Sequence, residues 1–152
     1  MSRAAPRPWK VLREEMQTST ARAFGTLYRR FQDSADRGYA ARGWKGATLT
    51  HVQFLSDLEE GGTRLSTVAA ALRWSKQYAG KLAKELASKR LVTLEADPTD
   101  KRAVLAKPTE RGRAFLQDAC EVRAELEAEF LGKLPVLRRT AWISALKSMV
   151  RG

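Results

Sequence analysis

Leu91-Val92-Thr93-Leu94-Glu95 and Ala103-Val104-Leu105-Ala106-Lys107 flank Asp97-Pro98-Thr99-Asp100-Lys101-Arg102, and Thr109-Glu110-Arg111-Gly112 follows. Each flank is a short, mainly apolar run of strand length. Between them, Asp-Pro followed by Asp and two cations is turn chemistry: proline fixes φ, and aspartate side chains bond backbone amides two residues on. The stretch therefore predicts a β-hairpin with a polar, partly basic tip. Thr109 then opens a long helix whose apolar positions are Phe115, Leu116, Val122, Leu126 and Phe130.

Upstream of the hairpin the period becomes helical. Ser75 is a good N-cap for a helix running to about Lys89, with Ala79, Leu82, Ala83 and Leu86 on its inner face. Trp74, just before the cap, can staple onto the first turn. A short helix through Val68, Ala69 and Leu72 precedes it, capped by Thr63 or Ser66. Another starts with Thr50 as N-cap and carries Val52, Phe54, Leu55 and Leu58 to Gly61-Gly62. Residues 34–46 read as a loop or broken turn. Trp9 to Asp33 read as one helix with a stripe of Leu12, Met16, Phe24, Leu27 and Phe31. Pro6 and Pro8 mark the first eight residues as a flexible arm. Downstream, Pro135 separates a last helix bearing Trp142, Ile143, Leu146 and Val150. There is no internal repeat.

The composition narrows the chemistry. The 152 residues are 43% hydrophobic and 30% charged, a globular balance. Lys and Arg number 28 against 17 Asp and Glu, a net +11. Such an excess calls for a polyanionic partner, nucleic acid or an acidic membrane face. Its distribution is uneven: residues 64–90 hold seven basic groups against Glu85 alone, whereas residues 47–63 hold three acidic groups and no Lys or Arg. One cysteine and one histidine leave no disulfide framework, no cysteine-rich metal site and little for a catalytic triad. Paired carboxylates in a pocket context, nucleophile motifs and phosphate-binding glycine loops are missing too, so an enzyme is not expected, nor any cofactor. No apolar run approaches the ~18 residues of a membrane span. No apolar segment of a secretory signal follows the basic start, and the expected location is cytoplasmic.

Helix, short helix, basic helix and charged hairpin is the order of a winged helix-turn-helix. The sequence resembles the multiple-antibiotic-resistance-regulator (MarR) family of bacterial transcription factors over residues 47–117. The shared pieces are Leu49-Thr50-x-x-Gln53, Val68-Ala69-x-x-Leu72, Ser75 with Leu82-x-x-x-Leu86, the Asp97-Pro98-Thr99-Asp100-Lys101-Arg102 hairpin and Thr109-x-x-Gly112. Three positions depart from the family pattern. Arg90 stands where a glycine usually ends the recognition helix, Pro108 where leucine precedes the threonine, and Gly80 lies in mid-helix.

The resemblance implies a mainly α fold with a small two- to three-stranded β-wing and dimerisation helices at both ends. Residues 1–46 and 110–152 would form the dimer, and residues 47–109 the DNA-binding domain. It implies a homodimeric, sequence-specific regulator of double-stranded DNA, chiefly a repressor, released by a small aromatic or phenolic ligand. A basic nucleoid or RNA-binding protein without sequence choice is the alternative, to which a basic arm at Arg3 and Arg7 is suited.

With the apolar face inward, Lys76, Gln77, Gly80, Lys81 and Lys84 lie outward on the recognition helix, where Lys and Gln can reach base edges in the major groove. The helix N-terminus behind Ser75 favours a phosphate. Tyr78 could meet a phosphate or a thymine methyl. Gly80 allows close approach to DNA or a neighbouring helix, or is incidental. In the wing, the family's arginine enters the minor groove, a role that falls to Arg102; Asp100 resembles the aspartate that orients it, and Lys101 would hold a phosphate. His51 is a surface or capping residue, or borders the cleft where family members bind small aromatic acids. Cys120 reads as a small buried hydrophobe.

Overall fold

The computed structural model describes residues 6–151. The arm expected at the N-terminus falls largely outside them, Arg3 included. Two helices replace the single one expected over Trp9 to Asp33: α1, Trp9–Thr18, and α2, Thr20–Ala41. They part at Ser19, whose backbone is extended (ψ 145°) and whose Oγ accepts from the Arg22 N–H at 3.3 Å. Helix α2 then runs through more than half of the stretch read as a loop. Gly38 does not break it: a Cβ there would come within 2.7 Å of Val122 Cγ1, so the glycine is a close crossing point of two helices. Ala35 and Tyr39, buried on the same face, hold the segment in place.

Helix α3, Leu49–Ser56, is capped by Thr48 and not by Thr50, since the Thr48 backbone N–H donates to His51 Nδ1 at 2.9 Å. It stops before Gly61-Gly62. Thr63–Arg64 form a two-residue strand, β1, where a helix cap was expected, and α4, Leu65–Ala71, follows with no side-chain cap. Helix α5, Lys76–Ser88, is as expected: the Ser75 hydroxyl accepts from the Tyr78 N–H at 3.1 Å, and Ala79, Leu82, Ala83 and Leu86 are buried. Strands β2, Val92–Ala96, and β3, Val104–Pro108, lie one residue later than read. The sheet is antiparallel in the order β1-β3-β2, with Arg64 opposite Leu105 and Leu94 opposite Ala106. Pro108 is the last residue of β3, opposite Val92. Helices α6, Glu110–Gly132, and α7, Val136–Arg151, complete the chain.

A single apolar cluster joins these parts. Phe54, Leu55, Val68, Leu82, Leu86 and Leu91 meet Phe115, Ala119 and Val122 of α6. Tyr39 and Trp44 set their rings 5.4 and 5.2 Å from Phe115. Cys120 does not join them. It is exposed, because Ala119 takes the inward position and the next residue on a helix points about 100° away.

The junction of α5 and β2 is tightly clasped. Arg90 adopts φ +59°, the left-handed conformation that ends the helix. Its carbonyl accepts from Thr109 Oγ1 at 2.7 Å, and the Leu91 carbonyl accepts from the Thr109 N–H at 3.1 Å. A residue with a Cβ is strained by about 1–2 kcal/mol there, whereas glycine is not. Arg90→Gly is therefore expected to stabilise the fold by about 0.5–1 kcal/mol after the greater entropy of an unfolded glycine is deducted. The thermal midpoint should rise by about 1–4 °C; a fall would show that the arginine side chain supports the junction.

Candidate nucleic-acid interface

Two elements carry the candidate surface, α5 and the wing. On α5, Lys76, Gln77, Tyr78, Lys81 and Lys84 are exposed, and Ser75 caps the helix at the same end as Lys76 and Gln77. The Trp74 ring packs edge-on against Tyr78, 5.2 Å between centroids, which fixes the Tyr78 side chain at the helix start. Gly80 is not required by packing, because a Cβ there meets nothing within 4 Å. The exposed face of α5 is thus lowest at its middle.

The wing tip is built from within. Asp97 is 5% exposed, and its Oδ1 accepts from both the backbone N–H and the hydroxyl of Thr99 at 2.7 Å. Its Oδ2 pairs with Nε of Arg64 on β1, and Arg64 Nη2 also donates to Thr99 Oγ1 at 3.1 Å. The two Thr99 bonds, and then Arg64, hold the Asp97 carboxyl down at about 2. This anchor ties the hairpin turn to the strand that leads into α4. Sequence reading saw Asp97 and Thr99 only as turn formers; the partner, 33 residues away, left no local signal.

Asp100 Oδ1 accepts from the Arg102 backbone N–H at 3.0 Å. It orders the arginine through its main chain, and among the described residues no carboxylate pairs with the Arg102 guanidinium. Lys101 and Arg102 are exposed. The same holds on α5, where Lys76, Lys81 and Lys84 take part in none of the ion pairs among the described residues. Arg42, Arg113 and Arg123, elsewhere, do pair, and so does Lys107 on β3, away from the wing tip.

His51, on α3, lies on the buried side of α5 and away from its exposed cations, 2% exposed. Its Nδ1 accepts from Thr48, so the neutral ring carries its proton on Nε2, 3.3 Å from Glu85 Oε1 but not aligned as a hydrogen bond. Burial lowers its pKa more than Glu85 raises it. The residue is a buried cap, linking α3 to α5.

The sequence matches no protein-family model and no curated protein. Solved structures do match. A MarR transcriptional regulator from Methanosarcina mazei Go1 superposes with a TM-score of 0.75 at 20% identity, covering 86% of this chain and 93% of that one. The MepR–DNA complex of S. aureus gives 0.73 at 17% identity, over 88% and 97%. BpsR of Bordetella bronchiseptica, whose DNA binding is regulated by 6-hydroxynicotinic acid, gives 0.72 at 19%, over 97% and 99%. The chain has the MarR fold. The MarR fold accounts for what the sequence leads one to expect of the architecture, a mainly helical chain with a small two- to three-stranded wing, of which three strands are present. No helix among the described residues is long and apolar enough to cross a membrane.

Proposed function

We propose that the protein is a cytoplasmic, homodimeric transcriptional regulator, not an enzyme, that reads double-stranded DNA with α5 and the wing and represses by occupying its operator. The observation that carries this reading is the set of exposed, unpaired cations on those two elements. They are carried on a buried framework that fixes where they stand. Lys76, Gln77 and Lys81 would face the major groove, with Ser75 and Tyr78 at the helix start toward a phosphate. Arg102 would enter the minor groove, set by Asp100 and flanked by Lys101.

The dimer follows from apolar surface. Phe24, Leu27 and Tyr28 of α2 and Trp142 of α7 are exposed by 38–48% around a groove of about 760 Å³. In α1, Trp9 and Met16 are 79% and 69% exposed. A two-fold partner would cover these faces and set two α5 helices about one DNA turn, roughly 34 Å, apart. The segments outside residues 47–109 would then be the dimerising parts. A small aromatic or phenolic ligand reaching His51 would disturb its bond to Thr48 or its approach to Glu85, and so couple ligand entry to the recognition helix.

Three substitutions test the assignment at a preferred site and at random DNA. Arg102→Ala should weaken binding at every sequence and relax only the A·T preference of the flanks. Gln77→Ala should cost about 1–3 kcal/mol at the preferred site and far less at random DNA. Lys84→Ala, further from the helix N-terminus, should cost little. None lies on the apolar face, so the thermal midpoint serves as the control. Unchanged binding by Arg102→Ala together with loss in Lys84→Ala would remove the wing from the interface.

A further inference from the structure

At the opposite end of α5 from Ser75, about 20 Å along the helix axis, four more cations gather. Two adjoining hollows, of about 420 and 210 Å³, share Lys89 and Arg111; Arg90 lines the first, and Lys45 and Trp44 line the second. No carboxylate lines either one. None of the four cations is in an ion pair among the described residues. The α5 C-terminus accounts for part of this charge, since helix carbonyls favour cations, but its half charge does not balance four.

One of the cations, Arg111, is also held in place. The Arg111 guanidinium lies over the Trp44 ring, 5.0 Å from its centroid, and its Nε donates to the Lys89 carbonyl at 3.3 Å. Trp44 is fixed in turn by its Nε1 bond to Asp118 and by Phe115. Lys45 sits between Gly43 and Gly46, both at positive φ, and Lys89 Nζ lies where a Cβ on Gly46 would be 3.1 Å away. Arg90 occupies its strained left-handed position when glycine would relieve it. Strained residues persist mainly where their side chain has a task. Arginine forks and lysine ammonium groups converging without a counter-charge are the chemistry that recognises phosphate.

We infer that Lys45, Lys89, Arg90 and Arg111 form a second anion site, away from the DNA-reading end of α5, that takes a small phosphate-bearing molecule. Because Lys89 and Arg90 end α5 while Lys45 and Arg111 belong to the α2–α3 loop and α6, a bound polyanion would draw the recognition helix toward both.

Pyrophosphate is the probe, titrated into the full-length protein without DNA by calorimetry and thermal unfolding, against sodium chloride at matched ionic strength. Pyrophosphate should bind with measurable heat and raise the midpoint beyond the salt control. A Lys89→Gln/Arg90→Gly double variant should bind it about tenfold more weakly or worse, and Arg111→Gln should repeat the loss should the double variant fold poorly. Both variants should keep their affinity for random DNA within about twofold when no pyrophosphate is present. Equal binding by variants and unmodified protein, or no effect beyond matched salt, would overturn the site. A parallel loss of DNA affinity would overturn it also, by making these residues contacts to the DNA backbone. The calorimetric arm contains no DNA, so failure there leaves the DNA-reading proposal standing.

Discussion

Between 50 and 200 mM salt, affinity for DNA is expected to fall about 10³–10⁵-fold. In the proposed dimer each protomer would offer Lys76, Lys81, Lys101 and Arg102 on α5 and the wing, all exposed and none in an ion pair among the described residues. A dimer would neutralise about 6–10 phosphates with them, and each releases condensed counterions from the duplex. Fluorescence anisotropy over a salt series reads the slope directly. A nearly flat response would mean that these cations face solvent, and that the +11 net charge serves some other partner.

The second large effect is on stability. Gly112→Ala is expected to destabilise the fold by about 3–4 kcal/mol, at the severe end for a single substitution. A Cβ at Gly112 would lie 2.1 Å from the Leu91 carbonyl oxygen. That oxygen cannot readily retreat, because it accepts from Thr109 while the Leu91 N–H is bonded to the Leu86 carbonyl at 2.9 Å. Leu91 itself is 1% exposed. The added methyl would therefore pry α6 from the junction that fixes the end of α5. Gly80→Ala, which meets nothing within 4 Å, provides the contrast, since an ordinary mid-helix glycine loses about 1 kcal/mol relative to alanine. Denaturant unfolding of the two variants should move the midpoint in opposite directions. Matching behaviour would mean that the clasp at Leu91 is not the constraint at Gly112.

What was legible in the chain depended on how local its cause was. Helix α5 could be read because its cap, Ser75, and its four inward residues lie within a dozen positions of each other. The hairpin could be read because Asp97-Pro98-Thr99-Asp100 carries its turn chemistry in the turn itself. Gly38 misled for the opposite reason: what makes it a packing contact is Val122, on a helix that sequence inspection cannot place beside it. Ser19 shows no periodic interruption, so the break between α1 and α2 went unseen. Strand β1 has two residues and exists only through pairing with β3, and Arg64 acquires its role from a carboxylate across that sheet. Thr48 outcompetes Thr50 as a cap because His51 supplies the reciprocal acceptor that a capping box usually takes from Glu or Gln. Of the candidate site, the exposed cations were visible as a pattern, whereas the internal anchor that positions the wing was not.

On the proposed function, α5 and the wing read sequence and do not merely adhere to DNA. The most direct measurement is the ratio of two affinities at one salt concentration, for the best site selected from a random duplex pool and for the unselected pool. A sequence reader should prefer the selected site by about 10³-fold or more. A ratio near one, with the salt dependence intact, would contradict the claim and leave a basic protein that binds any duplex.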